Sequence, residues 1–209
     1  MTLGLYKRPI EYRPSAADKP VMWDVVSDAP MSTQHANARF FVPYLARKAG
    51  CGGWALFVDG DVMFRGNVCR LFEQLDNSKA VYCVWHDHNP GDGVKMDGQV
   101  QTSYGRKNWT SVIAFNLDHP ANNALTMDVL NKTPGRDLHR LFWLADCDIG
   151  ELDVAWNYLV GHSDPEVSAT IAHFTSGTPD MDGYADQKYA DEWRMFRDDW
   201  ARGPLSFGS

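Results

Sequence analysis

The most informative hydrophobic pattern is a continuous apolar run of five residues, Trp54–Val58, that follows a glycine-rich break. A short uninterrupted run bounded by turn residues is typical of a strand buried on both faces of a sheet. Three further apolar runs predict strands at 80–85, 111–117 and 170–173.

Helical spacing of apolar residues appears between the predicted strands. In the segment 67–76, apolar side chains recur at the i, i+3, i+4 and i+7 positions, which place them on one face of a helix. Alternating strands and helices predict an α/β domain with a mixed, mainly parallel sheet flanked by helices. The other predicted helices cover 32–48, where Pro43 is expected to bend or end the helix, 121–131, 136–145 and 189–202.

The predicted domain covers residues 31–203. Before it, four prolines interrupt every periodic run in residues 1–30, which predicts an irregular segment. After it, residues 204–209 are expected to form a short tail.

Composition narrows the class of protein. With 209 residues, 44% of them hydrophobic, the chain suits one globular domain. A net charge of −7 without a basic stripe disfavours binding to a nucleic-acid backbone. We find neither a secretory leader nor an apolar run approaching the ~18 residues of a membrane helix. The four cysteines lack metal-binding spacing, so reduced thiols and a cytoplasmic location are expected.

Two carboxylates follow the predicted strand Trp54–Val58. Asp59 and Asp61 are two residues apart, so in an extended chain they point the same way, and Gly60 between them leaves room for a ligand. Hard oxygen ligands at the carboxyl end of a strand suit Mn²⁺ or Mg²⁺. The same triplet is also compatible with a solvated turn.

A histidine ends the last predicted strand. His173 precedes a turn that contains Gly177, and a neutral imidazole at this point is a potential third metal ligand. A hydrogen-bonded core histidine is the alternative. His86 and His88 form a second potential metal-binding pair in a polar loop.

Together, the Asp59-Gly60-Asp61 triplet and the segment from His173 to Gly177 resemble motifs of the family-eight retaining glycosyltransferases of the GT-A fold. That family contains bacterial lipopolysaccharide galactosyltransferases and glycogenin, and the resemblance extends to its bacterial and phage branch. By order of elements it covers roughly residues 30–195. It implies that Asp59, Asp61 and His173 bind one Mn²⁺, which holds the diphosphate of a UDP-sugar.

The resemblance implies further residues that contact the donor. Arg39 matches a helix arginine that reaches the donor sugar and phosphates. Asn108 resembles an asparagine that hydrogen-bonds the donor sugar, and Gly177 belongs to the diphosphate-binding motif. Asp137 resembles the acidic residue near the anomeric carbon, although the preceding Gly135 and Arg136 depart from the family's acidic-Gln-acidic pattern.

Two further departures concern the nucleotide. The family has a diphosphate-binding lysine shortly after the motif glycine, whereas no lysine follows Gly177 before Lys188; Lys95 and Lys107 are other potential substitutes. The family's strand and helix that hold the base also lie ahead of the point where this sequence begins. We therefore expect either a homo-oligomer formed along an open sheet edge or weak discrimination between nucleotide bases.

The sequence thus predicts a metal-dependent hexosyltransferase that uses a nucleotide sugar and an unidentified acceptor. A non-catalytic binding or structural protein on the same fold is the alternative. A phosphohydrolase is a third hypothesis, for which neighbouring predicted strand ends offer only Asp87 and Asp118.

Overall fold

A computed structural model of the protein describes residues 8–15, 19–85 and 108–203. Its strands form three sheets, of which the largest has four strands in the order β4-β7-β6-β8. Two three-stranded sheets have the orders β1-β2-β3 and β5-β10-β9. The strands are β1 (Ile10–Arg13), β2 (Val21–Asp24), β3 (Ala29–Pro30), β4 (Trp54–Val58), β5 (Val62–Phe64), β6 (Val81–Trp85), β7 (Asn108–Asn116), β8 (Ile149–Leu152), β9 (Tyr158–Leu159) and β10 (Ile171–His173).

The four-stranded sheet is mixed, as predicted, but it is not mainly parallel. β7 runs antiparallel to both β4 and β6, and only β6 and β8 are parallel. The expectation of a mainly parallel sheet was wrong because the apolar pattern that identifies a strand carries no information on its direction. Within the described residues, β4 is an edge strand of this sheet.

Both faces of the four-stranded sheet are covered by apolar side chains. On β4, Ala55 and Phe57 pack against one buried cluster, whereas Leu56 and Val58 pack against another. The five residues of β4 are nevertheless only half-buried, because the strand lies at the sheet edge. The prediction of a strand with both faces covered is therefore met, but burial is incomplete.

The helices are shorter than the predicted segments. α1 begins at Val42, so Pro43 lies in its first turn, where a missing N–H costs nothing, rather than ending the helix. A 3₁₀ helix, Ala38–Phe41, precedes it and carries Arg39. The α-helices are α1 (Val42–Lys48), α2 (Cys69–Phe72), α3 (Met127–Lys132), α4 (Gly135–His139) and α5 (Ala190–Ala201).

The segment 1–30 is not irregular where the structure describes it, because β1, β2 and β3 form an antiparallel sheet there. Pro14 follows β1 directly, Pro20 precedes β2, and Pro30 lies in the edge strand β3. Proline is tolerated at strand ends and edges, so here it limits the strands without preventing them. The central strand β2 contains no proline.

None of the helices in the described ranges combines the length and apolar character that crossing a membrane would require. The four cysteines are free thiols, and Cys83 lies in the core, where burial raises the pKa of its thiol to about 12.

Candidate metal centre

The two predicted carboxylates lie at a corner between two sheets. β4 belongs to the four-stranded sheet and ends at Val58, and the chain passes through Asp59, Gly60 and Asp61 into β5 of a different sheet. The backbone N–H of Asp59 donates to the carbonyl of Ser111 at 2.8 Å, which extends the pairing of β4 with β7 by one residue. The corner is thus held by backbone hydrogen bonds on the side of β4.

The same corner receives His173 through strand pairing. β10 runs antiparallel to β5, with His173 opposite Val62, and the N–H of Phe174 donates to the carbonyl of Asp61 at 3.0 Å. Residues far apart in the sequence become neighbours because the short apolar segment after Asp61 is a strand. The structure therefore brings the three predicted ligands together.

Asp59, Asp61 and His173 each offer a ligand atom within 4.8 Å of the other two. The imidazole is buried, whereas the two carboxylates are half-buried. One oxygen of Asp61, Oδ1, is buried and accepts no hydrogen bond within the described structure. An unsatisfied carboxylate oxygen beside a second carboxylate and an imidazole is the donor set that a hard divalent cation would fit.

Burial and neighbouring charges shift the pKa values of Asp59 and Asp61 in opposite directions. Burial raises the pKa of Asp59 above its ordinary value, with the charge of Asp61 adding to the rise, and Arg39 and His173 only partly offset this. Burial also acts to raise the pKa of Asp61, but His173 in its cationic form and Arg39 outweigh it, so that pKa is lowered. Neighbouring positive charge therefore favours the ionised form of Asp61, the form that binds a metal.

Arg39 joins the site directly. Its Nη2 atom lies 2.9 Å from Oδ1 and 3.1 Å from Oδ2 of Asp59, so this one nitrogen contacts both carboxylate oxygens. Its Nη1 atom donates to the hydroxyl of Thr110 at 3.3 Å. The structure thus places Arg39 beside the three predicted metal ligands, where it offsets the negative charge of the carboxylates.

Thr110 is a site residue that the sequence did not indicate. β7 bulges here: Cys83 of β6 pairs with Ile113, but the next residue, Val84, pairs with Trp109, so that residues 110–112 have no partner on β6. The Thr110 hydroxyl lies 2.7 Å from Nδ1 of His139 on α4. Bulges commonly redirect side chains next to functional sites, and here the bulge links Arg39 to α4.

Asn157 and Ser111 complete the surroundings of His173. Nδ1 of His173 lies 3.1 Å from Oδ1 of Asn157, and Nδ2 of Asn157 donates to the Ser111 hydroxyl at 2.9 Å. All three side chains are buried. Ser111 lies in β7 and Asn157 in a 3₁₀ helix, so no local sequence pattern points to the pair. Their contact arises only in the folded chain, where each buried polar group needs a partner.

The other three residues that were predicted to contact the donor are Asp137, Asn108 and Gly177. Asp137 lies in the first turn of α4 with its carboxylate 3.7 Å from Arg136, and it is not part of the three-residue cluster. The side chain of Asn108 lies outside the described structure. Gly177 is closely approached by the chain itself, because a Cβ at this position would lie 2.5 Å from the Tyr184 ring.

The other lysines, histidines and aspartates that the sequence suggested as phosphate or metal ligands do not add to the cluster within the described residues. The ammonium of Lys188 donates to the carbonyls of Pro165 and Val167 at 2.6 and 3.2 Å. Asp118 accepts from the N–H of Gly53, at the opposite end of β4 from Asp59. The residues His86, Asp87, His88, Lys95 and Lys107 lie outside the described ranges.

Comparison with known proteins finds a relative by sequence and similar chains among solved structures. No family model matches the chain. Protein CDI of Arabidopsis thaliana is 39% identical over 167 residues, which are 78% of this chain and 63% of that protein. The chain therefore spans just under two thirds of that relative's length.

Two similar solved structures are both glycosyltransferases. The apo WbbM bifunctional glycosyltransferase gives a TM-score of 0.44 at 15% identity, covering 81% of this chain and 38% of that one. A glycosyltransferase involved in the glycosylation of the major capsid of PBCV-1 gives 0.49 at 14% identity, covering 79% and 80%. Because both TM-scores are below 0.5, neither likeness by itself establishes a common fold.

Proposed function

We propose that the protein is a metal-dependent glycosyltransferase that moves a hexose from a nucleotide sugar to an acceptor. The observation that carries the proposal is the cluster of Asp59, Asp61 and His173 at the carboxyl end of β4, with ligand atoms within 4.8 Å of one another. The reaction class comes from the resemblance of the sequence motifs to those of glycosyltransferases, because a group of potential metal ligands alone is compatible with several chemistries.

Charge at the cluster explains why a diphosphate would need a cation there. Two carboxylates repel an anionic ligand, and Arg39 is already engaged with Asp59 at 2.9 Å. A divalent ion held by Asp59, Asp61 and His173 would supply Lewis-acid stabilisation to the departing diphosphate. Asp59, Asp61 and His173 therefore act as ligands in the proposal, and Arg39 balances their charge.

Other parts of the proposal rest on the resemblance of the motifs. They are Mn²⁺ as the preferred ion, uridine as the base, retention of anomeric configuration and a cytoplasmic location. Arg39, Asn108 and Gly177 are proposed to contact the donor, and Asp137 is proposed to lie near the anomeric carbon. The proximity of α4 to the cluster, through His139, Thr110 and Arg39, supports a role for that helix.

The proposal is tested by a donor screen with Mn²⁺ present, in which release of free nucleoside diphosphate is measured. We expect release from a UDP-sugar, its loss on removal of Mn²⁺, and its loss in Asp61→Asn. Asp128→Asn is the matched control, because Asp128 is an exposed carboxylate paired with Lys132 on α3. Release that is unchanged in Asp61→Asn would contradict the proposal.

A non-catalytic nucleotide-sugar binder is a second candidate. It is favoured by the position of Lys188, whose ammonium is engaged by backbone carbonyls, and by Gly135 and Arg136 beside Asp137. In this case Mn²⁺ and the nucleotide would bind, and Asp61→Asn would abolish binding, but no nucleoside diphosphate would be released with any donor or acceptor. Calorimetric binding measured beside the release assay separates the two candidates.

A further inference from the structure

The hydrogen-bond partners of His173 define which of its ring nitrogens faces the cluster. Nδ1 lies 3.1 Å from Oδ1 of Asn157, and Nε2 lies 3.4 Å from Oδ1 of Asp61. His173 is 4% exposed, Asn157 is 0% exposed, and the Oδ1 atom of Asp61 is buried, so both contacts are shielded from bulk water. The two nitrogens therefore have one fixed partner each.

The chemistry of the amide oxygen determines the position of the ring proton. In this orientation of the Asn157 amide its oxygen faces the ring, and an amide oxygen only accepts hydrogen bonds, so the contact calls for a hydrogen on Nδ1 of His173. In the neutral ring, Nε2 then has a free lone pair directed at Asp61. Two acceptors facing one another at 3.4 Å leave a place for a cation, and metals bind imidazole through such a lone pair.

The opposite tautomer fits the distances less well. It would require Nε2–H of His173 to donate to Asp61 across 3.4 Å, which is longer than the ordinary range of about 2.7–3.2 Å. The contact between Nδ1 and Asn157, at 3.1 Å, lies within that range. Oδ1 of Asp61 also accepts no hydrogen bond in the described structure.

The Asn157 amide is held in turn by the bulged strand β7. Its Nδ2 atom donates to the hydroxyl of Ser111 at 2.9 Å, and Ser111 is 5% exposed. The backbone carbonyl of the same residue accepts from the N–H of Asp59. Ser111 therefore links the orientation of His173 to the position of a second ligand.

We propose that Asn157 is a positioning residue that holds His173 in the Nδ1–H tautomer, with Nε2 presented to a divalent cation. The inference rests on the proposed metal-binding function of the cluster. Hydrogen-bond partners of this kind orient metal ligands, and their loss commonly weakens metal affinity by about 10–100-fold.

The first test uses metal-free protein. Long-range ¹⁵N–¹H NMR of the imidazole rings, assigned with a His173→Gln variant, reports which nitrogen carries the proton. We expect the Nδ1–H tautomer of His173 at a pH where the ring is neutral. Finding the proton on Nε2 would overturn the inference.

The second test is titration with Mn²⁺ alone. We expect Asn157→Leu to weaken binding about 10–100-fold, and Asn157→Asp to restore it to within a few-fold, because a carboxylate keeps an acceptor facing Nδ1. Asn122→Leu is the matched control: Asn122 is equally buried but donates to the carbonyls of Ala80 and Asn116. That variant should lose stability without a change in Mn²⁺ affinity.

The outcomes separate this inference from the proposed function. If the wild-type protein binds no Mn²⁺, the proposed function fails. If it binds Mn²⁺ and Asn157→Leu binds equally well, only the role of Asn157 fails. If Asn157→Leu does not fold, the role of Asn157 is tested by the Mn²⁺ titration of Asn157→Asp and by the tautomer of His173 in the wild-type protein. Weak Mn²⁺ binding by folded Asn157→Asp would also contradict the inference.

Discussion

Two largely buried arginine–aspartate pairs hold different parts of this molecule. Arg8 and Asp24 are 3% and 1% exposed and connect the N-terminal sheet to α3. Arg39 and Asp59 are 13% and 27% exposed and lie at the corner between β4 and β5. The two pairs have the same chemistry, but they differ in what surrounds the carboxylate.

We call the Arg8 pair closed because its carboxylate has no unpaired oxygen, although Nε of Arg8, 3.6 Å from Asp24, has no hydrogen-bond partner in the described structure. Nη2 of Arg8 donates to the carbonyl of Leu130 at 2.6 Å, and both oxygens of Asp24 accept hydrogen bonds, from the N–H of Val26 and the hydroxyl of Ser27. At the Arg39 pair, a second carboxylate stands beside the first, and its Oδ1 atom has no hydrogen-bond partner in the described structure. A closed pair stabilises the fold, whereas an open one is available to a ligand.

The largest expected effect is a loss of folding stability when the closed pair of Arg8 and Asp24 is broken. Arg8→Met leaves the buried carboxylate of Asp24 without its countercharge, and breaking a buried pair in this way costs about 3–5 kcal/mol. The free energy of unfolding from urea titration measures the loss. Arg13→Met is the control, because Arg13 also pairs with an aspartate, Asp28, but on the exposed surface, and we expect little change there. An equal loss of stability in Arg8→Met and Arg13→Met would show that burial does not make the Arg8 pair more important than the exposed Arg13 pair.

The second expected effect is the stabilisation of the folded protein by bound Mn²⁺, which depends on the open pair and not on the closed pair. At a free Mn²⁺ concentration 100 times its dissociation constant, binding to the folded state alone stabilises the protein by about 2.7 kcal/mol. We expect Asp61→Asn to remove this gain while changing the stability of the metal-free protein little. The melting temperature with and without Mn²⁺ measures both quantities. The Arg8→Met variant, although destabilised, should keep the gain.

A smaller effect is expected at Thr110, which is 3% exposed. Thr110→Val removes the hydroxyl that contacts Arg39 and His139, and the loss of these two part-buried contacts costs about 1–3 kcal/mol. Thr110→Ser keeps the hydroxyl and should recover most of the loss in urea unfolding. If serine fails to recover it, the methyl group of Thr110 rather than its hydrogen bonds matters.

The sequence predicted the parts of the fold that depend on local pattern. β4 has the predicted bounds, and α5, Ala190–Ala201, differs from the predicted 189–202 by one residue at each end. The convergence of Asp61 and His173 depends on the pairing of β5 with β10, which no local pattern encodes. It was anticipated only through the resemblance of two motifs to those of a known family.

The missed features are those that depend on long-range pairing. The direction of β7 and its bulge are set by strands on both sides, so Thr110 and Ser111 gave no signal as site residues. Asn157 follows Trp156 in a 3₁₀ helix and becomes significant only beside His173. The aromatic residues of α5 are only partly buried: Trp193 packs on the β5-β10-β9 sheet, whereas Trp200 is 88% exposed.

The central claim is that the open pair and its neighbours bind one divalent cation. The most direct measurement is a crystal structure of the protein soaked in Mn²⁺, with an anomalous difference map collected near the manganese edge. The account predicts one strong peak within bonding distance of the carboxylates of Asp59 and Asp61 and of Nε2 of His173. A peak elsewhere on the protein, or no peak at this corner at saturating Mn²⁺, would contradict it.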